Sequence, residues 1–257
     1  MPPGQYSTIR EFLKKSAILV KVVKKIRIFR HFRWSDWRDG RKIRLFWLVE
    51  PYTTVGYDRL NNAYELAVRV EKEKIPGDLV ECGTWKGGCA AAMAYAAGRG
   101  EGRKVWLFDS FEGLPEPGEA DGLLAKEFAA DRNTGKLKPI NECVASVRDA
   151  EEIFFDKLKI KRDSVKIEKG WLQDTLPAAS ANMGPIAILR LDVDWYESTK
   201  ICLDHLYDKV APGGYVIFDD YGHWPGCRLA VQEFFKKRNI DPDLKVIDYT
   251  GRYMKKN

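Results

Sequence analysis

The chain has 257 residues, 45% hydrophobic and 31% charged, with a formal net charge of +6, enough for one large α/β domain or two small ones. No run reaches the roughly 18 uncharged apolar residues of a membrane-spanning helix. The first residues lack a signal-peptide pattern, and five scattered cysteines with no CxxC pair suggest neither a disulfide framework nor a zinc site, so a reducing cytoplasm is the expected location.

The charge is concentrated at one end. Residues 1–50 hold 13 Lys or Arg against 4 Asp or Glu, leaving a slight acidic excess for the remainder. The segment "FLKKSAILVKVVKKIRIFRHFRW" reads as an amphipathic arm. It packs its apolar face on the main domain or a second subunit, or meets anionic headgroups in a peripheral membrane contact; no nucleic-acid partner is expected. The division is thus an arm over 1–50 and a main domain over 51–257.

Residues 57–75 form an amphipathic helix stopped by Pro76-Gly77. From there short apolar runs alternate with helical segments, the pattern of a mainly parallel sheet. Strands are expected over 78–83, 104–110, 163–170, 185–192 and 214–220, helices over 88–98, 141–158, 196–210 and 226–238, and a terminal hairpin over 243–256 turning near Thr250-Gly251. The stretch "FEGLPEPGEADGLL" (111–124), rich in Gly, Pro and acids, reads as a mobile lid without regular structure.

Ligands of such sheets bind at the carboxyl ends of the strands. "LVECGTWKGGCAA" has glycines for a tight turn but lacks the G-x-G-x-x-G spacing of a dinucleotide site, which disfavours an oxidoreductase. Glu81 in that turn would repel a pyrophosphate and suits a ligand with a positive centre, such as S-adenosylmethionine; the bland alternative is a salt bridge to Lys86. Asp109, ending the second strand, is placed to accept from ribose hydroxyls, or simply to cap the turn before Phe111.

The segments "IPGDLVECGTWKGG", "VWLFDSFEGLPEP", "KGWLQDTLP", "ILRLDVDWYEST", "VAPGGYVIFDDYG" and "CRLAVQEF", in order across about residues 51–253, resemble the macrocin O-methyltransferase (TylF/MycF/NovP-like) family, which methylates sugar hydroxyls. The basic arm has no clear counterpart in those motifs. The resemblance implies a class I S-adenosylmethionine-dependent methyltransferase fold (α/β, Rossmann-like). Its sheet has seven mostly parallel strands, the last antiparallel. It also implies a divalent metal, usually Mg2+, and self-association. Carried over, Glu81, Gly83, Thr84 and Trp85 line the methionine side of the cofactor, Asp109 and Ser110 hold the ribose, and Trp171 and Gln173 flank the adenine. Thr53 sits near the site's mouth, and Asp192 belongs to both cofactor and metal sites. Where the family commonly has Asp-Gly-Asp, this chain has Asp192-Val193-Asp194; a valine tolerates a strand end but not a positive φ, which bears on the placement of Asp194.

Four carboxylates at two strand ends have a physical rationale. Asp192, Asp219 and Asp220 end neighbouring strands and repel unless protonated or bridged by a cation. Oxygen-only donors without a Cys or His cluster favour Mg2+ over zinc. Asp194 is then either the general base for an alcohol or the N-cap of the helix beginning near Tyr196. His223 could assist or merely be solvated. A catechol-type phenol is an alternative acceptor, and a non-catalytic membrane-docking module of the same fold an alternative role.

Overall fold

The computed structural model describes residues 39–98, 102–130 and 143–257. Most of the basic arm, and with it the expected membrane or subunit contact, lies outside the described residues, as do the first two residues of the helix expected over 141–158. The chain divides into two compact units, Met1–Leu48 and Val49–Asn257. No helix among the described residues is long and apolar enough to cross a membrane.

The elements in chain order are α1 (Gly40–Val49), α2 (Tyr57–Lys72), β1 (Asp78–Cys82), α3 (Gly88–Ala96), β2 (Val105–Asp109), α4 (Gly122–Ala130), α5 (Val147–Glu151, continued as a π-helix Glu152–Lys157), β3 (Val165–Lys169), α6 (Leu172–Asn182), β4 (Ile186–Leu191), α7 (Tyr196–Leu206), β5 (Val210–Phe218), α8 (Pro225–Lys237), β6 (Lys245–Val246) and β7 (Arg252–Lys255). The strands make one sheet in the order β3-β2-β1-β4-β5-β7-β6. It is parallel from β3 to β5, with β7 antiparallel to both neighbours. The expected seven-stranded, mostly parallel sheet is present, and the terminal hairpin turns where expected.

All six residues of β4 are buried, as befits a central parallel strand covered on both faces. The two faces follow from the period of two. Val80, Cys82, Leu189, Leu191, Val216 and Phe218 belong to the core under α6, α7 and α8. Glu81 and Arg190 alternate out of step with them and point to the other face.

Three elements differ from the sequence expectation. The stretch 111–124 is not simply an unstructured lid. It runs as a loop only to Gly118, then through a 3-10 turn into α4, whose Ala125 and Ala129 pack with Trp195, Trp224 and Cys227. Its Gly/Pro-rich first half hides an alanine-containing helix in the second. Helix α6 was not expected, because Pro177 sits inside it and interrupts the helical pattern. Strand β5 starts at Val210 rather than Gly214, since Ala211–Gly214 forms a bulge that shifts the register against β4.

Candidate active site

The strand order reverses between β1 and β4, and the site lies at their carboxyl ends, as expected for an open α/β sheet. The ladder continues one residue past each strand: Asp192 N–H donates to Cys82 O at 2.9 Å, Asp219 N–H to Leu191 O at 2.9 Å and Gly83 N–H to Phe108 O at 2.8 Å. That register brings the strand-end residues together. Gly83 is left-handed (φ +78°), and a Cβ there would lie 1.7 Å from the carbonyl oxygen of Asp192; only glycine lets β1 and β4 approach this closely.

Ligand oxygens of Asp192, Asp219 and Asp220 lie within 4.8 Å of one another. Asp194 stands beside them, its backbone N–H donating to Asp220 Oδ2 at 3.0 Å. The residue with positive φ is Asp194 itself (φ +56°), not Val193. Aspartate tolerates that conformation, so the valine in Asp-Val-Asp is accommodated. The Asp194 side chain does not cap α7. Its Oδ1 accepts from Trp224 Nε1 at 2.7 Å, whereas Tyr196 N–H at the start of α7 is capped by Asp121 Oδ1 at 2.7 Å. The capping alternative for Asp194 is thereby replaced by Asp121, a residue from the segment read as a lid.

Beneath these carboxylates runs a buried ion network that the sequence reading missed. Arg190 and Glu81 are partners in the β1–β4 register, and Arg190 Nη1 donates to Glu81 Oε1 at 2.7 Å and Asp192 Oδ2 at 2.9 Å. Its Nη2 donates to Asp219 Oδ1, and Arg59 of α2 donates to Asp219 Oδ2. The signal was a lone arginine in the apolar run "AILRLD", aligned with a lone glutamate in "DLVEC". Glu81 Oε2 also accepts from Ala90 N–H of α3 at 3.2 Å. Glu81 therefore serves the sheet interior. It does not line the cavity and does not pair with Lys86, whose partner is Asp149 at 3.8 Å.

Five carboxylates against two guanidiniums leave an excess of negative charge. Desolvation, opposed by Arg190, pushes Glu81 up to about 7. Desolvation joined by the charge of Asp219 raises Asp192 to about 6. Desolvation and Asp192 raise Asp194 to about 7 against the pull of the Trp224 hydrogen bond. Asp220 is raised well above the carboxylate range, by desolvation first and then Asp194. A bound cation would relieve this strain.

A cavity of about 420 Å³ opens beside the cluster. Of the expected site residues, Gly83, Trp85, Asp109, Ser110, Trp171, Gln173, Asp192 and Asp194 line it. Thr84 is buried with its hydroxyl directed at Glu81 O, 3.4 Å away, and Thr53 is replaced at the wall by its neighbour Thr54. Asp109 accepts from Trp85 N–H and Phe111 N–H, each at 2.7 Å, so it does hold its own turn. It also shapes Trp85, a further left-handed residue (φ +50°). His223 stacks edge-on against Trp224, ring centroids 4.4 Å apart, and is not part of the wall.

A parallel sheet reversing between β1 and β4, with strand-end acids over a cavity, defines a methyltransferase of the S-adenosylmethionine-dependent fold. The chain belongs to the Macrocin-O-methyltransferase (TylF) family, whose model matches residues 7–256, most of the basic arm included, and it is an O-methyltransferase. It is 38% identical over 209 residues to demethyldecarbamoylnovobiocin O-methyltransferase of Streptomyces niveus, covering 80% of this chain and 76% of that protein. It is 36% identical over 208 residues to 8-demethyl-8-(2,3-dimethoxy-alpha-L-rhamnosyl)-tetracenomycin-C 4'-O-methyltransferase of Streptomyces olivaceus, with the same coverage. The solved structure of the O-methyltransferase NovP superposes with a TM-score of 0.69 at 36% identity, over 80% of this chain and 82% of that one.

Proposed function

We propose that this enzyme transfers the methyl group of S-adenosylmethionine to a hydroxyl of a sugar carried by a glycosylated natural product or a glycan, with Mg2+ at the carboxylate cluster. The observation that carries this reading is the convergence of Asp192, Asp219 and Asp220 just behind a cavity wall that Asp192 and Asp194 themselves line. The rhamnosyl group in the name of the tetracenomycin relative supports a sugar acceptor.

The residues fit a hard divalent cation, because every donor is a carboxylate oxygen and the cluster carries more negative charge than its two arginines offset. Asp192 and Asp220 would be the readier ligands, since both oxygens of Asp219 already accept from Arg190 and Arg59. When bound there, the cation supplies Lewis acidity toward an alcohol oxygen. Gly83 and Trp85 would face the methionine portion of the donor, Asp109 and Ser110 its ribose, and Trp171 and Gln173 its adenine. These walls align the donor methyl with the acceptor and keep water away, which is where much of the rate comes from. Asp194, whose Oδ2 accepts no hydrogen bond from the described residues, takes the hydroxyl proton as general base, a role worth about 10²–10⁴-fold.

The test is incubation with methyl-labelled S-adenosylmethionine and a panel of acceptors: demethyldecarbamoylnovobiocin, other desmethyl glycosides, and catechol. Label should enter a glycoside, stop with EDTA and resume with Mg2+. Label entering catechol alone would refute the sugar, and turnover unaffected by EDTA would refute the metal.

A further inference from the structure

The geometry points to Trp224 as a positioning residue that aims the carboxylate of Asp194, leaving Oδ2 as the oxygen that meets the acceptor hydroxyl. This rests on Asp194 being the general base. Asp194 has two anchors of different kinds. Its backbone N–H is held by Asp220 Oδ2 at 3.0 Å, and its side chain by the indole Nε1 of Trp224 at 2.7 Å. The first sets where the main chain passes. Only the second sets how the carboxyl group is turned about its terminal χ2 angle, which is otherwise soft. A 2.7 Å N–H···O contact to a carboxylate is at the short end of the charge-assisted range.

The donor is itself immobilised. Trp224 is 7% exposed, and its ring is met edge-on by Trp195 at 4.9 Å, Phe128 at 5.6 Å and His223 at 4.4 Å between centroids. Its backbone N–H donates to Asp220 O at 3.0 Å, so the strand end bearing the metal candidates also places the indole. Indole nitrogen only donates. Trp224 can therefore hold the oxygen it touches but cannot take the acceptor's proton, and it leaves one carboxylate oxygen open. Phe128 belongs to α4. Helix α4 thus reaches the proposed base through one ring contact and one hydrogen bond.

The experiment has two arms. In the first, ¹⁵N-labelled protein is observed at the indole N–H signals, with no acceptor needed. The Trp224 signal, assigned through Trp224→Phe, should lie downfield and exchange slowly with solvent, and it should move upfield in Asp194→Ala while Trp106 is unchanged. An immobile signal overturns the proposal. The second arm is kinetic, with S-adenosylmethionine and demethyldecarbamoylnovobiocin. Trp224→Phe, or benzothienylalanine at 224 if Phe fails to fold, should lower kcat about 10- to 100-fold while the donor Kd stays within about twofold. Placed in Asp194→Asn, the same change should cost no more than about twofold, because its target is gone. A full-sized loss persisting in that background, or no loss at all in the single variant, overturns the proposal alone. Full activity of Asp194→Asn overturns the base reading and this proposal with it.

Discussion

Replacing Arg190 by Met should destabilise the protein severely, and more at alkaline than at acidic pH. Arg190 is 1% exposed and partners three carboxylates, of which Glu81 and Asp219 are also 1% exposed. Removing one member of a buried ion pair costs about 3–5 kcal/mol, because the remaining charge is left uncompensated. The Nε of Arg190 is buried without a hydrogen-bond partner; losing that orphan returns part of the cost and favours the lower end. At about 2–4 °C per kcal/mol for a domain of this size, the melting temperature should fall by about 6–20 °C. The pH dependence follows from the sign of the shifts. Glu81, Asp192 and Asp194 titrate near 7, 6 and 7 in the folded state, above their unfolded values. The native state then holds more protons between about pH 4 and 7, and stability falls as pH rises through that window. Without Arg190 to oppose it, this rise in the folded values grows, so the loss should be larger at pH 8 than at pH 5.5. Adding Glu81→Gln should recover part of it by removing one orphaned charge. Thermal unfolding of the metal-free protein in EDTA at both pH values measures all of this. A shift below about 2 °C, or equal shifts at both pH values, would refute the network as described.

Asp121→Ala removes the cap on Tyr196 N–H and the acceptor of Gly118 N–H; at about 0.5–2 kcal/mol for a cap the melting temperature should drop by about 1–8 °C, with Asp121→Asn falling between wild type and Asp121→Ala, since its single amide oxygen can replace only one of the two acceptors. Gly226→Ala should disturb the same joint, since its Cβ would fall 1.8 Å from Asp121 Oδ1; calorimetry showing wild-type stability would refute the tight approach of α4's leading turn to α8. Gly83→Ala meets both a positive φ and the Asp192 carbonyl, and should cost about 4 kcal/mol or more together with donor binding, read by thermal unfolding and titration calorimetry. Asp192→Ala should weaken Mn2+ binding, followed by electron paramagnetic resonance, by about tenfold or more with the melting temperature less affected than in Arg190→Met.

Much of this could be read along the chain. Alternating apolar runs and helices are local properties, and strand ends marked by Asp109, Asp192, Asp219 and Asp220 can be read without knowing which strands are neighbours. The same is true of Gly83 and Trp171, which lie in short stretches whose turn chemistry is written in their own residues. What failed was local as well as global. The Gly and Pro of 111–118 masked the helix that follows, and Pro177 masked α6.

The partners across the sheet are another matter. That Glu81 pairs with Arg190 depends on β1 and β4 being adjacent although two strands and more than a hundred residues separate them in the chain. That Asp121, not Asp194, caps α7, and that Trp224 seizes the freed carboxylate, depends on how α4, α7 and α8 converge over the strand ends. Residue types and their local periods are set by covalent order, so composition and spacing disclose which groups the site has. Their charge state, orientation and division of labour come from contacts between segments distant in the chain, which exist only once the sheet has chosen its strand order.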